Sequence, residues 1–343
     1  MIAPLVALAV AGLVAFAVSR LDLHMVGHDL VTASPGWIAL ALLLMALSLV
    51  LRSISWQQVL RAALPDTRVR WPPVIRATMI GVMGSAVFPG RVGEPTRVIV
   101  LARRLQGPTR QLLAVIAGTV FSQTLINLLA LAILAAITFS SVSIFQGHEA
   151  GVLGALAVPA LLVLLVLTGP PLLRLASHSR VPRLRRAAQG VRRILALART
   201  GLTVFTRPRH GIPAVGAQLL AWALQWGSCY MVVLALGLQD KATPATAAAI
   251  LLAVNVSAVL PATPSNVGVF QAACLVVLAA YGVGAGQALA YGIILQAVEL
   301  VTALALGAPA LLAEGLTWRD IRSAPGEATE VIPAVDPAGR GGE

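Results

Sequence analysis

The sequence contains few charged residues for its length of 343 residues. Only 11% are Asp, Glu, Lys or Arg, whereas soluble domains have about 25%. Lysine is almost absent, since Lys241 is the single lysine beside 24 arginines. Cysteine is also scarce, and because Cys229 and Cys274 both lie in apolar segments, they indicate neither a disulfide framework nor a metal site. These shortages exclude an ordinary soluble domain and a disulfide-rich secreted one.

Enzyme signatures are missing as well. The sequence has no Walker A, GxSxG or HExxH motif, and its five histidines are scattered along the chain. We therefore expect no cofactor, no metal and no catalytic residue, and a transporter-like role rather than an enzyme. Without an ATPase motif, transport would be passive, coupled to an ion or driven by a partner.

Long apolar runs are what the sequence has in abundance. Hydrophobic residues make up 58% of the chain, and runs close to the bilayer-crossing length of about 20 residues recur throughout it. This pattern predicts an all-α polytopic membrane protein with about six full spans. The predicted spans are 2–18, 37–56, 111–138, 151–168, 212–236 and 287–313.

Arginines flank these spans and predict the topology. The segment 169–211 has ten arginines and no acidic residue, which makes it a cytoplasmic loop by the positive-inside rule. A second group follows the span 37–56 and predicts that this end is also cytoplasmic: Arg52, Arg61, Arg68, Arg70 and Arg76. Since the basic residues lie beside spans, membrane topology explains the net charge of +12 better than nucleic-acid binding does.

The ends of the chain complete this scheme. Arg319 and Arg322 predict a cytoplasmic C-terminus, and the downstream charge bias predicts a cytoplasmic N-terminus as well. Residues 1–315 would form one integral domain in the plasma (inner) membrane. The segment 316–343 is rich in Pro, Gly and acidic residues, and we expect a disordered cytoplasmic tail.

Two stretches break the apolar pattern with proline and glycine. The first, 88–97, contains Pro89 and Pro95, which disfavour an uninterrupted helix. The second, 260–271, contains Pro261 and Pro264. Because basic residues flank 74–110 on both sides, we expect a re-entrant hairpin there, with two closely packed full spans as the alternative. The span 212–236 leads out of the cytoplasm and the span 287–313 leads back, so 245–281 must start and end outside. It is therefore predicted to be a second hairpin that enters from the opposite face, as in inverted-repeat transporters.

The first break holds a dense group of charges at membrane depth, namely Arg91, Glu94 and Arg97. The two guanidinium groups could bind a phosphate bidentately, while Glu94 positions one of them or carries a proton. Gly90 and Gly93 would let the backbone approach a lipid head group. The structural alternative is an ion pair between Arg91 and Glu94.

Other polar residues lie inside the predicted spans. Glu299 would pair with Arg91 or Arg97 across the bundle or would lie in a polar pore, and a merely structural buried pair is the alternative. Several neutral residues are typical of interhelical hydrogen bonds: Ser122, Gln123, Asn127, Gln225, Asn255 and Ser257.

Both breaks resemble signatures of a known family, the transmembrane (flippase-like) domain of lysylphosphatidylglycerol synthetases and their stand-alone relatives. Its Pro-x-Arg-x-Gly-Glu-x-x-Arg signature is matched by Pro89, Arg91, Gly93, Glu94 and Arg97. A later Pro-Gly-Gly-x-Gly-x-Phe-Glu signature is matched in part, by Pro264, Gly268 and Phe270. Ser265 and Asn266 replace its usual glycines and Gln271 its glutamate, while neutral Ser122, Gln123 and Asn127 stand where the family usually has an acidic–basic pair. The resemblance covers about residues 2–315.

The resemblance implies translocation of a lipid with a large or charged head group. The chain has no room for the soluble aminoacyl-transferase domain, so we expect it not to synthesise lysyl-lipid. The predicted substrate-binding residues are Gly90, Arg91, Gly93, Glu94, Arg97, Pro264, Asn266, Gly268, Gln271 and Glu299. The expected partner is a membrane lipid with an anionic head group or a lipid-linked phosphate; the candidate protein partners are a second copy of the chain and an envelope-pathway protein.

Two other function classes remain open from the sequence. One is a membrane-embedded transferase of a glycolipid pathway, with Glu94 as its base. The other is an accessory or scaffold subunit that binds lipid while its basic loop docks a partner protein.

Overall fold

The computed structural model describes residues 32–87, 93–105, 109–141, 203–257 and 266–315, and most of these residues are helical. Within these ranges there are nine helices and no strand. They are α1 (Pro35–Ala63), α2 (Trp71–Val87), α3 (Gly93–Ala102), α4 (Thr109–Ser141), α5 (Thr203–Thr206), α6 (Pro208–Ala235), α7 (Pro244–Ser257), α8 (Val269–Ala280) and α9 (Ala285–Ala313).

Four of these helices are long and apolar enough to cross a membrane: α1, α6, α9 and the part of α4 from Val115 to Phe139. They coincide with four of the six spans predicted from hydropathy. The other two predicted spans, 2–18 and 151–168, lie outside the described residues, as does the tail 316–343. The segment 169–211, predicted to be a loop, holds α5 and the start of α6 in its described part.

Apart from the four-residue α5, four shorter helices lie between the long ones. At 1.5 Å per residue, the 10 to 17 residues of α2, α3, α7 and α8 reach roughly 15–26 Å, which is less than the bilayer core of about 30 Å. The interruptions between α2 and α3 and between α7 and α8 fall at the two predicted breaks. Residues 88–92 and 258–265 of these breaks are outside the described ranges.

The helices α1 and α6 pack against each other in antiparallel orientation along their whole length. Hydrogen bonds join them near both ends and at points between. These bonds are Ser34 N to Ala235 O (2.9 Å), Ser228 Oγ to Ala41 O (2.9 Å), Ser55 Oγ to Ala214 O (2.8 Å) and Arg207 Nη1 to Ala62 O (3.2 Å). The pair therefore forms the central axis of the described bundle.

The remaining helices follow this axis in two series with the same order. In each series a long helix precedes two short ones and a long one, so that α1 to α4 correspond to α6 to α9. The contacts correspond too, since α2 packs against α9 while α7 packs against α4. Each series thus places its first short helix on the last long helix of the other.

Glycines permit the closest helix contacts in the first series. A Cβ atom at Gly93 would lie 1.7 Å from the carbonyl oxygen of Gly81, and one at Gly81 would lie 2.9 Å from that of Gly93. Because backbone atoms have no freedom to withdraw, only glycine fits at this crossing of α2 and α3. The contact brings the start of α3 back beside the middle of α2, so the chain reverses direction between them.

An ion-pair cluster defines one end of the bundle. Glu314, at the end of α9, binds Arg76 at 3.4 Å and Arg104 at 2.6 Å, and its side chain is only 4% exposed. Arg76 belongs to the beginning of α2, and Arg104 follows α3. The segment from α2 to α3 therefore begins and ends at the same end of the molecule, where α9 also ends.

The apolar core consists of two clusters stacked along the bundle. One cluster contains Met45 of α1, Ala130 of α4 and Val298 of α9. The other contains residues of the same three helices that lie toward the opposite end of the bundle. On α1 the change falls between Met45 and Leu49, and on α4 between Ile126 and Ala130. The polar residues described next lie close to this boundary.

Candidate polar site

Arg97 is the central charged residue of the site. It lies on α3 and is buried, with 9% of its surface exposed. Its Nη1 donates to Gln123 Oε1 at 2.8 Å, and its Nη2 forms an ion pair with Glu94. The guanidinium carbon lies 4.8 Å from the centroid of the Trp56 ring, in cation–π contact. Arg97 is thus held from three sides.

The groups around Arg97 are themselves fixed by hydrogen bonds. Trp56 is fully buried, and its Nε1 donates to Thr119 Oγ1 at 3.1 Å. The amide nitrogen of Gln123 donates to the backbone oxygen of Arg52 at 3.2 Å. This second bond orients the Gln123 side chain with its oxygen toward Arg97, so a neutral residue of α4 links α3 to α1.

Glu94 differs from Arg97 in its exposure. The Glu94 side chain is 48% exposed, whereas that of Arg97 is 11% exposed. Glu94 lies in the first turn of α3, where a carboxylate is favoured by the unpaired backbone N–H groups. The sequence leaves three roles open for Glu94: to position an arginine, to carry a proton or to pair with Arg91. In the structure Glu94 pairs with Arg97. Arg91 and Gly90 lie outside the described residues. Gly93 is described, and its contact with Gly81 accounts for a glycine there by helix packing.

Arg52 is a member of the site that the sequence analysis assigned to the cytoplasmic arginine group. It lies inside α1, and its Nη2 donates to Gln225 Oε1 of α6. Its guanidinium carbon is 5.8 Å from the centroid of the Trp222 ring. The assignment to the cytoplasmic group is therefore corrected. The signal that could have found Arg52 is its position within the apolar run 38–60, which is the setting of an intramembrane charge.

Glu299 faces Arg52 rather than the first break. Its carboxylate lies near the Gln225 side chain and within electrostatic range of Arg52. Of its two expected partners, Arg97 pairs with Glu94 instead, and Arg91 lies outside the described residues. Gln225 thus contacts the cation Arg52 directly and lies near the anion Glu299.

The second break contributes a tight turn and two amides. Asn266 and Gly268 have positive φ angles of 54° and 88°, which glycine and asparagine tolerate best. The Gly268 N–H donates to Gln271 Oε1 at 2.6 Å at the start of α8, and the Gln271 amide donates to Gln296 of α9. Pro264 lies outside the described residues. The described part of this break therefore reaches α9 through Gln271.

These contacts place the polar residues in one series between the two breaks. Gln296 and Glu299 are three positions apart on α9, and side chains at this spacing share a helix face. From there the series continues through Gln225 and Arg52 to Gln123 and Arg97. The structure does not bring Asn266, Gly268 or Gln271 into contact with Arg97; the link between them runs through α9 and α1.

Two features of the arginines bear on anion binding. Arg52 and Arg97 are close enough to repel each other electrostatically. In each of them Nε is buried and has no hydrogen-bond partner among the described residues. Buried donors of this kind are costly when unpaired, and an anion between the two guanidinium groups would relieve both the repulsion and the missing hydrogen bonds.

The other polar residues of the spans have structural contacts. Asn127 Oδ1 accepts hydrogen bonds from Gln218 at 2.9 Å and from Trp222 at 2.7 Å, so it joins α4 to α6 and holds the ring beside Arg52. The interhelical bonds expected of Ser122, Asn255 and Ser257 are corrected, because these side chains bond to carbonyl groups of their own helices. In the described part of the chain, no three His, Cys, Asp or Glu residues come together as metal ligands.

Comparison with protein-family models identifies the family of this chain. No curated protein matches the sequence significantly. The family model described as Lysylphosphatidylglycerol synthase TM region matches residues 1–307 of the 343-residue chain, which confirms the resemblance drawn from the two breaks. With its apolar helices, the chain is a multi-pass membrane protein and belongs to the lysylphosphatidylglycerol synthase transmembrane-region family.

Proposed function

We propose that this protein is a lipid translocase of the plasma membrane that moves a lipid with an anionic phosphate head group. The observation that supports this most directly is the pairing of Arg97, a buried cation at a break in the bundle, with Glu94, a half-exposed anion. Such a pair offers a phosphate a place to bind, because one partner is fixed and the other is free to move into water.

The exchange would proceed on the described side chains as follows. Glu94 leaves Arg97 for solvent, where a carboxylate is fully hydrated. The phosphate then accepts hydrogen bonds from Arg97 Nη2 and from its unpartnered Nε, in the bidentate geometry that guanidinium groups favour. Trp56 and Gln123 keep the guanidinium in place while its anionic partner changes. Glu94 thus occupies the position beside Arg97 that the phosphate of the head group takes when it binds.

The architecture proposed for this transport is an inverted repeat with two re-entrant hairpins, formed by α2 with α3 and by α7 with α8. The antiparallel pairing of α1 with α6 and the matching contacts of the two series support this arrangement. In inverted-repeat transporters the substrate site lies near the bilayer midplane, between the repeats. Here that position holds the polar series from Arg97 to Gln271. We place the N- and C-termini in the cytoplasm.

A fluorescence assay in proteoliposomes tests the function. Fluorescent phosphatidylglycerol is incorporated, and dithionite added outside measures how fast lipid from the inner leaflet becomes accessible. We expect the wild type to accelerate this exposure and Arg97→Ala to abolish the acceleration. Arg68→Ala is the matched control, since Arg68 is an exposed arginine outside the site and should retain wild-type exchange.

Further lipids in the same assay distinguish the substrate classes. Competition by neryl phosphate, and none by neutral lipid, would indicate a polyisoprenyl-phosphate substrate. Equal exchange by the wild type and Arg97→Ala would contradict the proposal. Formation of a new lipid product by the purified protein would instead support the transferase, and loss of function only on removal of 175–210 would support the scaffold.

A further inference from the structure

The helices α2 and α9 meet along a seam that has two unlike contacts. At one end, Arg76 of α2 binds Glu314, which follows α9, at 3.4 Å. Seven positions further along α2, Met83 packs against Gly307, which lies seven positions before Glu314. Because seven residues make about two helical turns, the two contacts share one face of each helix and lie about 10 Å apart. The helices are therefore antiparallel neighbours, and their seam has an ionic end and an apolar middle.

Close packing fixes the middle of the seam. A Cβ atom at Gly307 would lie 2.4 Å from the Cβ of Met83 and 2.9 Å from the backbone oxygen of Met79. Both methionines are buried, in the same core cluster as Ala310 and Leu311. Small residues that bring two helices this close hold them by van der Waals contact, which is lost as soon as the helices separate. The contact at Gly307 is thus the fixed point of the seam.

The ionic end of the seam is built from weaker interactions. Glu314 has a side chain that is only 4% exposed, whereas Arg76 and Arg104, which bind it, are 44% and 48% exposed. Solvent screens the ion pairs of exposed guanidinium groups, so exchange of the carboxylate for water changes the free energy little. The carboxylate is hydrated in turn once this end parts. The ionic end can therefore open while the middle of the seam stays closed.

The first hairpin, α2 with α3, is tightly joined within itself. A Cβ atom at Gly93 would lie 1.7 Å from the carbonyl oxygen of Gly81, and one at Gly81 would lie 3.0 Å from the Cβ of Arg97. Backbone in contact with backbone leaves no space for one helix to slide or tilt on the other. A movement of α2 against α9 would therefore carry α3 with it.

The ionic cluster lies on the path to Arg97 from this end of the bundle. Arg104 belongs to the turn that continues α3, since its N–H donates to Leu101 O at 3.0 Å. It follows Arg97 by seven positions, so the two arginines lie on the same side of α3 and about 10 Å apart along it. Arg97 is buried, and an anion that approaches from this end meets the cluster first.

We infer that the ion pairs of Glu314 with Arg76 and Arg104 form a gate. The gate opens when the first hairpin tilts away from the end of α9 about the contact at Gly307, and an anionic head group then reaches Arg97. This inference rests on the proposed translocation and adds the movement that gives access to the site. The ion pairs form again once the head group has passed.

Cross-linking of the full-length protein tests the gate. Arg76→Cys with Glu314→Cys joins the hairpin to α9, whereas Arg76→Cys with Arg104→Cys joins two points of the hairpin. Both pairs come from one cluster, so the same short phenylene bismaleimide is used for both, and the linked fraction is read from the mass of the protein. In the fluorescent phosphatidylglycerol assay, we expect the first link to slow exchange at least about tenfold and the second to leave it within about twofold, each relative to the same variant before treatment. Wild type treated with the reagent is the control, because Cys229 and Cys274 are buried.

Distances between spin labels give a readout that does not depend on transport. Labels at Pro72→Cys and Leu312→Cys span the seam beside the cluster, and labels at Pro72→Cys and Arg103→Cys lie on the hairpin alone. All three positions are exposed and leave the ion pairs of Glu314 in place. We expect two distances across the seam, with the longer one gaining population when dihexanoyl-phosphatidylglycerol is added, and one distance within the hairpin.

Each outcome separates the gate from the translocase function. Exchange that persists with the hairpin linked to α9 would overturn the gate and leave the translocase standing. Loss of exchange with both links would show that α2 and α3 do not move together and would overturn the tilt. If the wild type exchanges no lipid, the translocase is wrong and the spin labels decide the gate alone: two distances across the seam support it, and a single distance overturns it.

Discussion

The guanidinium group of Arg97 lies over the indole ring of Trp56, which is fully buried and bonded to Thr119. An aromatic face attracts a cation without occupying its N–H groups. Trp56 therefore stabilises the charge of Arg97 in a way that does not compete with an anion for its donors. Glu94 has the opposite effect, because it occupies a donor that a phosphate would need.

Replacement of Trp56 by phenylalanine should weaken anion binding more than it weakens the fold. The ring that remains is a poorer cation–π partner, and the hydrogen bond to Thr119 is lost, for a combined cost of about 1–2 kcal/mol. We expect a several-fold loss of affinity for dihexanoyl-phosphatidylglycerol by calorimetry and a modest fall in Tm. Trp37→Phe is the control, since Trp37 is 41% exposed; an equal loss of affinity there would contradict a specific role for Trp56.

Replacement of Gln123 by glutamate should prevent an anionic head group from binding Arg97. A carboxylate at this position would pair with Arg97 from within the bundle, where it has no route to water, and would compete with the head group. We expect at least a tenfold loss of lipid affinity, about 1.4 kcal/mol, with Tm kept because the charged pairing with Arg97 offsets the lost hydrogen bond to the Arg52 carbonyl. Gln123→Met serves as the comparison: it leaves Arg97 Nη1 and the Arg52 carbonyl unpaired, so it should lower Tm instead. Retained affinity in Gln123→Glu would show that a phosphate does not need Arg97.

Replacement of Gly93 by alanine should disrupt the first hairpin. The added Cβ atom would lie 1.7 Å from the Gly81 carbonyl oxygen, so α2 and α3 would have to separate and Arg97 would move. We expect a large fall in Tm and loss of lipid exchange. Gly216→Ala is the matched control, because nothing lies within 4 Å of its added Cβ atom. Alanine within α6 should stabilise the protein by about 0.5–1 kcal/mol. If the two variants behave alike, the close packing of α2 against α3 at Gly93 is contradicted.

Replacement of Glu314 by glutamine should loosen one end of the bundle. It removes the carboxylate that binds Arg76 and Arg104 and so joins the start of α2, the end of α3 and the end of α9. Since both arginines are nearly half exposed, solvent screening limits the loss to about 1 kcal/mol. A double-mutant cycle with Arg76→Gln, read from Tm at low and high salt, should give a coupling that falls with salt. Strictly additive effects would show that the pair contributes nothing.

The long helices were predictable because they obey one simple constraint. An apolar segment with charges at its ends has one favourable arrangement in a bilayer, which is a helix that crosses it. The helices α1, α4, α6 and α9 are therefore predicted from hydropathy alone. The two breaks were predictable as well, since proline and glycine act locally on the backbone. Glu94 and Arg97 were identified for the same reason, as charges beside a break.

The partners of these charges could not be predicted. Arg52 pairs with a residue 173 positions away, and no local pattern distinguishes Gln225 from other polar residues in the spans. Arg52 was misassigned because the positive-inside rule groups arginines by sequence proximity, whereas its depth within α1 decides its surroundings. Glu299 was assigned to the site, but its partner depends on how α9 packs against α1 and α6, which is tertiary information.

The distance in sequence between Arg52 and Gln225 also has a consequence for biogenesis. At about 5–20 residues per second, a ribosome needs roughly 10–35 seconds to synthesise the 173 residues between them. During that interval α1 has an arginine in its interior while the helix that will hold it does not yet exist. On insertion scales such a residue costs about 2.5–3.5 kcal/mol at the helix centre. Insertion of α1 is therefore a step at which the nascent chain depends on the membrane-insertion machinery, until α6 has been made.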